Sequence, residues 1–486
     1  MTVIRLVFTP LFALLLAITF LISLTAAPAR GEPLRSALTG TIYVNTTATG
    51  ADNGTSWTDA FTDLQVALAA AQSGDEIWVA TGVYKPGAAR EATFQLEDGV
   101  ALYGGFVGTE TALDARDWTA NVTVLSGDID GNDTVDASGV VTDTDNIVGA
   151  NSYHVVTGNG VTTTAVLDGF IITAGNAQDE NYPHNRGGGM LNDGGSPTLA
   201  NLLLSGNKAF STGGGMHNIT SAARLTNVTF NSNRAIYGGG LYNVNGSPSL
   251  TRVTFQSNRA TQEGGGLSND NGAPALTNVA FRGNSANLGG GLYNANGTPV
   301  LTNGILSGNQ ADRGGALYNR NSSSVFTNVA ISGNRATEGG GIYNSNSSLT
   351  LQNSILWNNL AIQNLAAIFN DNSIPAIRYS LIQGCNPSGV WNNGCGADDG
   401  ENLTDVDPLF VATPNPANAP TTTGDLRLQT ASPAIDAGDN GAVPAGVTTD
   451  LDGNARIFNG VVDLGAYEFQ STISVVYLPT VQNGQP

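Results

Sequence analysis

Cysteine is nearly absent from this 486-residue chain: only Cys385 and Cys395 occur, so disulfides cannot carry the fold. Charge is also sparse. Asp, Glu, Lys and Arg make up 12% of the residues, and positive charge is the scarcer kind, with 19 Lys plus Arg against 39 Asp plus Glu and a net charge of −20. That balance argues against nucleic acid or an anionic membrane surface as partner. Beyond the first 29 residues no apolar run approaches membrane-span length, so no transmembrane span is expected in the mature chain. Disorder is excluded as well, because 41% of residues are hydrophobic and they recur periodically.

Residues 1–29 read as a bacterial Sec-type signal peptide. Arg5 supplies the leading charge, Leu11 to Leu24 the apolar segment, and Ala27-Pro28-Ala29 a small-residue cleavage site. An uncleaved anchor is the alternative. The mature protein is expected to be secreted or held at the cell surface, as a monomer.

Glycine, by contrast, is abundant, with 62 residues, and much of it is ordered. Triplets begin at Gly187, Gly213, Gly238, Gly264, Gly289, Gly314 (Gly-Gly-Ala) and Gly339, in steps of 25 or 26 residues. Asn207, Asn233, Asn258, Asn284, Asn309, Asn334 and Asn359 keep the same beat. So do Asn192, Asn218, Asn243, Asn269, Asn294, Asn319 and Asn344, and a third column runs through Asn201, Asn227, Asn278, Asn303, Asn328 and Asn353, broken by Arg252. Fixed self-similarity of this kind means a solenoid. In the unit from Leu225, Val228 and Phe230 alternate with Thr229, and Leu241 alternates with Tyr242, which is strand spacing on both sides of a Gly corner. A leucine-rich repeat would share the Leu225-x-x-Val228-x-Phe230-x-x-Asn233 pattern, but its remainder should be helical, and three consecutive glycines make a helix costly. The reading is an all-β, right-handed parallel β-helix of about 25 residues per coil, each inward residue resting on its equivalent in the next coil. Inward Asn amides at the strand ends are expected to form ladders.

Around this array the chain divides into the signal (1–29), a cap and irregular coils (41–185), regular coils (186–375), last coils with a closing region (376–470) and a tail (471–486). Thr58 to Ala71 reads as a capping helix, with Phe61, Leu64, Leu68 and Ala71 on one face and Thr58 as its cap. An open solenoid end needs such a cover.

The Gly238 to Asn243 and Phe255 to Asn258 motifs resemble right-handed parallel β-helix proteins of the pectate-lyase-like superfamily, and within it the polymorphic outer-membrane protein repeats of chlamydiae. Ser432 to Gly438, Asp450 to Asn454 and Val462 to Glu468 are similar to the closing region of choice-of-anchor Q surface proteins. The resemblance spans roughly residues 41–470. It implies the fold and a surface location, and little about chemistry.

Hydrolases of that superfamily use a Gly-His-Gly segment, but His154, His184 and His217 each lack a glycine on at least one side. Its lyases use clustered carboxylates for Ca²⁺ with an Arg base, but Asp193, Glu263, Asp270, Asp312 and Glu338 do not fall in one register. Asp128/Asp130 and Asp450/Asp452 are pairs in sequence only. Asp128, Asp130 and Asn132 alternate oxygens as the start of a Ca²⁺ loop does, without the Gly and Glu an EF-hand requires; the alternatives are a loose Ca²⁺ site or a solvated acidic turn. Lys208, Arg234 and Arg259 share one register, and Arg335 recurs; they could meet an acidic glycan or keep a sheet surface soluble. Tyr242, Tyr293, Tyr318 and Tyr343 form an outward stripe, either a platform for sugar rings or Tyr–Tyr packing between coils. Cys385 and Cys395 can close a small loop in an oxidising exterior. These residues point to a non-enzymatic scaffold for adhesion and polysaccharide contact, with no cofactor beyond a candidate Ca²⁺. A polysaccharide lyase or hydrolase, with its site among residues 105–185, and an inert stalk are the alternatives.

Overall fold

The computed structural model describes residues 40–363, 367–385 and 390–470. The expected signal segment 1–29 and tail 471–486 lie outside the described residues. The chain winds into a parallel β-helix of about 12 turns. Each regular coil has three faces. In one coil Arg224–Asn231 lies on a long face, Arg234–Tyr237 on a short face and Leu241–Val244 on a third face. The next coil stacks in parallel register, with Leu225 on Leu250, Phe230 on Phe255, Arg234 on Arg259 and Leu241 on Leu267.

Period-two alternation sends Leu225, Val228, Phe230 and Leu241 inward, where all are buried. Phe230, Phe255 and Phe281 stack ring on ring, with centroids 4.9 and 4.8 Å apart. Each such side chain removes enough apolar surface from water to contribute about 1.5–3 kcal/mol.

Two Asn columns form the expected ladders. Asn233 Nδ2 donates to Asn258 Oδ1 (3.0 Å) and to the Leu204 carbonyl (2.8 Å), and its backbone N–H donates to the same Oδ1 (3.1 Å). Each amide thus ties the coil before it to the coil after it. Asn218, Asn243 and Asn269 are joined in the same way at 2.7 Å. The third column also joins coils, with Asn303 Nδ2 donating to Asn278 Oδ1 (3.0 Å) and Asn328 Nδ2 to Asn303 Oδ1 (3.1 Å), but its placement differs from expectation. Asn201, Asn227, Asn278 and Asn303 sit within the long strands, not at their ends, with φ between +51 and +57°. Asn recurs there because it tolerates the left-handed region that kinks each strand. At the Gly corner, Gly238 has φ +62°, and a Cβ on Gly239 or Gly240 would come within 2.6 Å of backbone in the following coil.

The N-terminal helix, α1, is shorter than the periodicity predicts: it spans Leu64–Ala70, and Asp63 caps it by accepting from the Gln65 N–H. Residues 58–61 are held instead by the first strand, Thr41–Val44, and the loop that follows it. The Thr58 carbonyl accepts from the Gly50 N–H, the Asp59 carboxylate accepts from the Ala51 N–H, and Phe61 bridges to Val44. Leu64 and Leu68 nonetheless enter the main core. In the later coils, Cys385 and Cys395 form a disulfide (Cα–Cα 5.9 Å), and Trp391 packs against the same core.

Coiling continues to Leu403–Thr404, which pairs with Leu381–Ile382. The chain then runs back along the outside of the long face. Phe410, Leu426, Leu428, Ala434, Leu464 and Tyr467 pack on the outward column Ala280, Ile305, Ala330, Ile355 and Leu381. The three C-terminal motifs meet inside this cover. Asp463 accepts from the Asp436 N–H, Asp450 accepts from the Glu468 N–H, and the Gly438 N–H donates to the Val462 carbonyl. Buried Arg456 donates to Glu468 at 2.9 Å and to the carbonyls of Gly465 and Asp463.

Candidate functional site

Follow one outward column of the long face in register: Ile171, Leu203, Thr229, Thr254, Ala280, Ile305, Ala330, Ile355, Leu381. It is apolar at both ends and threonine in the middle. From Ala280 onward the C-terminal cover lies on it. At the other end the insertion carrying Trp118 comes so close that a Cβ on Gly105 or Gly169 would clash with it. Thr229 and Thr254 fall between the two covers.

The corner beside this column repeats the pattern. Gly206, Ser232, Ser257, Gly283, Gly308 and Gly333 occupy successive coils with φ between +52 and +71°. A Cβ on Gly206 would run into Val141, on Gly283 or Gly308 into Thr421, and on Gly333 into Pro414. From Gly206 to Gly333 glycine stands where a strap crosses the corner and serine where the corner is open; in the next coil Asn358 takes the place and donates Nδ2 to the strap's Pro414 carbonyl. Around that corner, on the short face, the same two coils present Arg234 and Arg259.

These coils form the floor of a trench between two walls. A cavity of about 630 Å³ is lined by Ser257, Arg259, Thr261, Ser285, Asn287, Gln310, Asp312 and Pro420. A second, of about 240 Å³, shares Ser257 and Arg259 and reaches Ser232, Arg234 and the Asp143–Asp145 strap. A third, of about 280 Å³, lies on the long face between Trp118, Thr119, Asn201, Leu203, Asn227 and Thr229. Arg234 pairs with Asp145 at 3.2 Å in an exposed bridge, worth up to about 1 kcal/mol. Arg259 is exposed and has no ion pair among the described residues. A chain so acidic therefore holds an uncommitted cation in a cavity of about 630 Å³. Lys208 shares the register but sits on the coil whose corner Val141 crosses, outside both cavities.

The tyrosine stripe is placed differently from a sugar platform. Its side chains do leave the sheet outward, but Tyr293, Tyr318 and Tyr343 are buried. They stack on one another and on Phe369 at 4.9–5.4 Å, with Leu288 and Ala295 beside them. Coil spacing matches ring thickness well enough that neighbours cover each other's faces, and no face is left for a ligand. Tyr242 stays half-exposed and lies flat on His217, 5.3 Å away. The insertions at 105–151 do not arch over the stripe; they pack on the long face and its corner instead.

In the candidate Ca²⁺ loop, Asp128 Oδ1 accepts from the backbone N–H groups of Gly131 and Asn132, and Asp130 Oδ2 accepts from Asn132 Nδ2 and the Ala150 N–H. These bonds hold the loop together. Among the described residues no group of three or more His, Cys, Asp or Glu side chains is placed to hold a metal ion. Asp450 likewise holds its own turn, while Asp452 takes a bidentate bond from Arg427 (2.6 and 2.7 Å).

Sequence spacing gave no sign that all three histidines gather at one end of the third face. His184 stacks between Tyr153 (4.3 Å) and His154 (5.8 Å), and His217 continues the tyrosine column. Burial drives His154 down to about 4 and His217 well below the ordinary imidazole range. Both are neutral at pH 7. The distances between coils that bring them together, 30 residues or more, carry no local pattern.

No protein-family model and no curated protein matches this chain. Among solved structures, the crystal structure of pectate lyase Pel9A is similar at 14% identity and a TM-score of 0.43, covering 89% of this chain and 96% of that one. Among the described residues no helix is long and apolar enough to cross a membrane.

Proposed function

We infer that this is a secreted or cell-surface protein that holds an extracellular polysaccharide in the trench across its two uncovered coils, with sugar carboxylates or sulfates at the Arg234–Arg259 end. The observation that carries this reading is the pairing of Ser232 and Ser257 at the corner with Thr229 and Thr254 on the face, on two neighbouring coils, beside an unpaired Arg259. Hydroxyls, amides and one free guanidinium suit an acidic glycan bound at the Arg259 side of the cavity, away from the Asp312 carboxylate that also lines it, since guanidinium binds planar carboxylates and sulfates bidentately.

Affinity electrophoresis through gels containing polygalacturonate, alginate or hyaluronan tests it. Retardation that weakens with salt is expected, as exposed charge pairs are screened over about 10 Å at 0.1 M. Arg259→Gln should lower the affinity about tenfold or more, and Lys208→Gln should change it little. Unretarded migration in all three polymers at low salt, or an unaffected Arg259→Gln variant, overturns the reading. Release of unsaturated or reducing ends from any of them would replace it with catalysis.

A further inference from the structure

The long-face end of the trench has a different chemistry. Trp118 is 37% exposed, and its indole Nε1 has no hydrogen-bond partner among the described residues; those of Trp57, Trp78 and Trp391 are engaged, and Trp357, whose Nε1 is also unpartnered, packs against the C-terminal cover. Its position is fixed from behind. The Arg116 guanidinium lies 5.1 Å from the Trp118 ring and 4.9 Å from the Tyr103 ring. Arg116 is itself fully engaged, by Asp168 at 2.8 Å and by the carbonyls of Gly104 and Asp168. The indole is therefore pre-organised, and the charges that organise it cancel one another.

Beside it runs a relay of amides. Asn227 Nδ2 donates to Asn201 Oδ1 (2.7 Å), and Asn201 Nδ2 donates to Asp168 Oδ1 (2.7 Å). The Asp168 carboxylate sets the direction of both amides. Asn227 Oδ1 is left as an exposed acceptor, next to the Thr229 hydroxyl, on the cavity that Trp118 lines. An apolar ring face, an indole N–H donor, a directed amide acceptor and a hydroxyl, without net charge, match a pyranose ring: its C–H face stacks on an aromatic while its hydroxyls take and give hydrogen bonds.

The geometry points to Trp118, with Asn227 and Thr229, as a binding site for a neutral sugar unit. The ligand of the trench would then be a mixed polysaccharide, neutral at Trp118 and acidic at Arg259. This rests on the reading of the ligand as carbohydrate, but on none of the residues at the Arg259 end.

The test uses the full-length protein and three neutral probes: cellopentaose, maltopentaose and mannopentaose. With 5-fluorotryptophan incorporated, the ¹⁹F resonance of Trp118, assigned by its loss in Trp118→Phe, should shift on titration with at least one probe. Trp118→Ala should weaken binding of that probe at least about tenfold, while Trp118→Phe keeps part of it. Asn227→Ala should weaken it by a smaller factor, and Arg259→Gln should leave it unchanged. A Trp118 resonance unmoved by all three, or equal affinity in Trp118→Ala, overturns the inference. If acidic polymers still bind then, only the neutral site fails. If neutral probes bind and acidic ones do not, only the Arg259 end fails.

Discussion

At the scale of single residues, the molecule separates amides that hold coils together from imidazoles that are only tolerated inside. Asn258 is fully buried and every polar atom of its amide is used: Oδ1 accepts twice from Asn233, and Nδ2 donates to Asn284 Oδ1 and the Phe230 carbonyl. Arg252 shows the other side of the same logic, occupying with φ +54° a place that Asn fills on most coils. His154 is buried with Nδ1 3.0 Å from the Gly187 carbonyl and Nε2 unpartnered. Burial holds its imidazole down to about 4; the carbonyl pulls weakly upward, and His184 adds to the fall. The unfolded chain takes up this proton near 6.5, so stability is complete above that pH and is lost as pH falls toward 4. The fall from 6.5 to about 4 corresponds to on the order of 3 kcal/mol. Urea midpoints between pH 7.5 and 4.5 should drop for the wild type and drop less for His154→Gln. Equal slopes in the two proteins would refute the assignment.

At the scale of elements, the straps decide which residues the corners carry. Gly308 has φ +61°, and its carbonyl accepts from the Thr421 N–H at 2.8 Å; a Cβ there would meet Thr421. Gly308→Ala should therefore cost about 1–3 kcal/mol and expose the 413–424 strap to protease, while Ser257→Gly, on an open corner, should change stability by a few tenths. Limited proteolysis with urea unfolding checks both, and an intact strap in Gly308→Ala would contradict the packing described. The period, the inward columns and the two buried Asn ladders could be read from sequence because each is a local pattern repeated at fixed spacing. The trench could not, because it depends on which distant segment covers which coil. Its trace was nonetheless in the sequence, as Ser232 and Ser257 in a glycine column and Thr229 and Thr254 in an apolar one. The tyrosine register was legible, but whether neighbouring rings would close over one another was not. The helix start at Asp63 was missed because Thr58 to Phe61 is claimed by the preceding loop and strand, through Gly50, Ala51 and Val44, which no helical periodicity registers.

At the scale of the whole molecule, a stack of coils and a cover folded back on it have different sources of stability. Coils gain from their neighbours on each side, so the array behaves as a sum of repeated interfaces. The cover is held by the Arg456 knot and by apolar contact with Ala280, Ile305, Ala330, Ile355 and Leu381. Arg456 and Glu468 are both about 1% exposed at their side chains, and burial pushes the Glu468 carboxyl upward while Arg456 pulls it down. Replacing Arg456 by Met removes the cation paired with buried Glu468, which keeps only its bonds from the Phe458 and Asp463 N–H groups, and takes the donor from the Gly465 and Asp463 carbonyls, at a cost of about 3–5 kcal/mol. That cost falls on the cover and not on the coil stack, because none of these groups belongs to a coil. The Arg456→Met protein should accordingly unfold in two steps: the cover releases first, with increased binding of a hydrophobic dye to the bared Ala280–Leu381 column, and the coils melt near the wild-type midpoint. Losing the cover also removes one wall of the trench, so glycan retention should fall with the first step. A single transition shifted as a whole would mean that cover and coils form one cooperative unit, and the trench would then be as rigid as the solenoid that carries it.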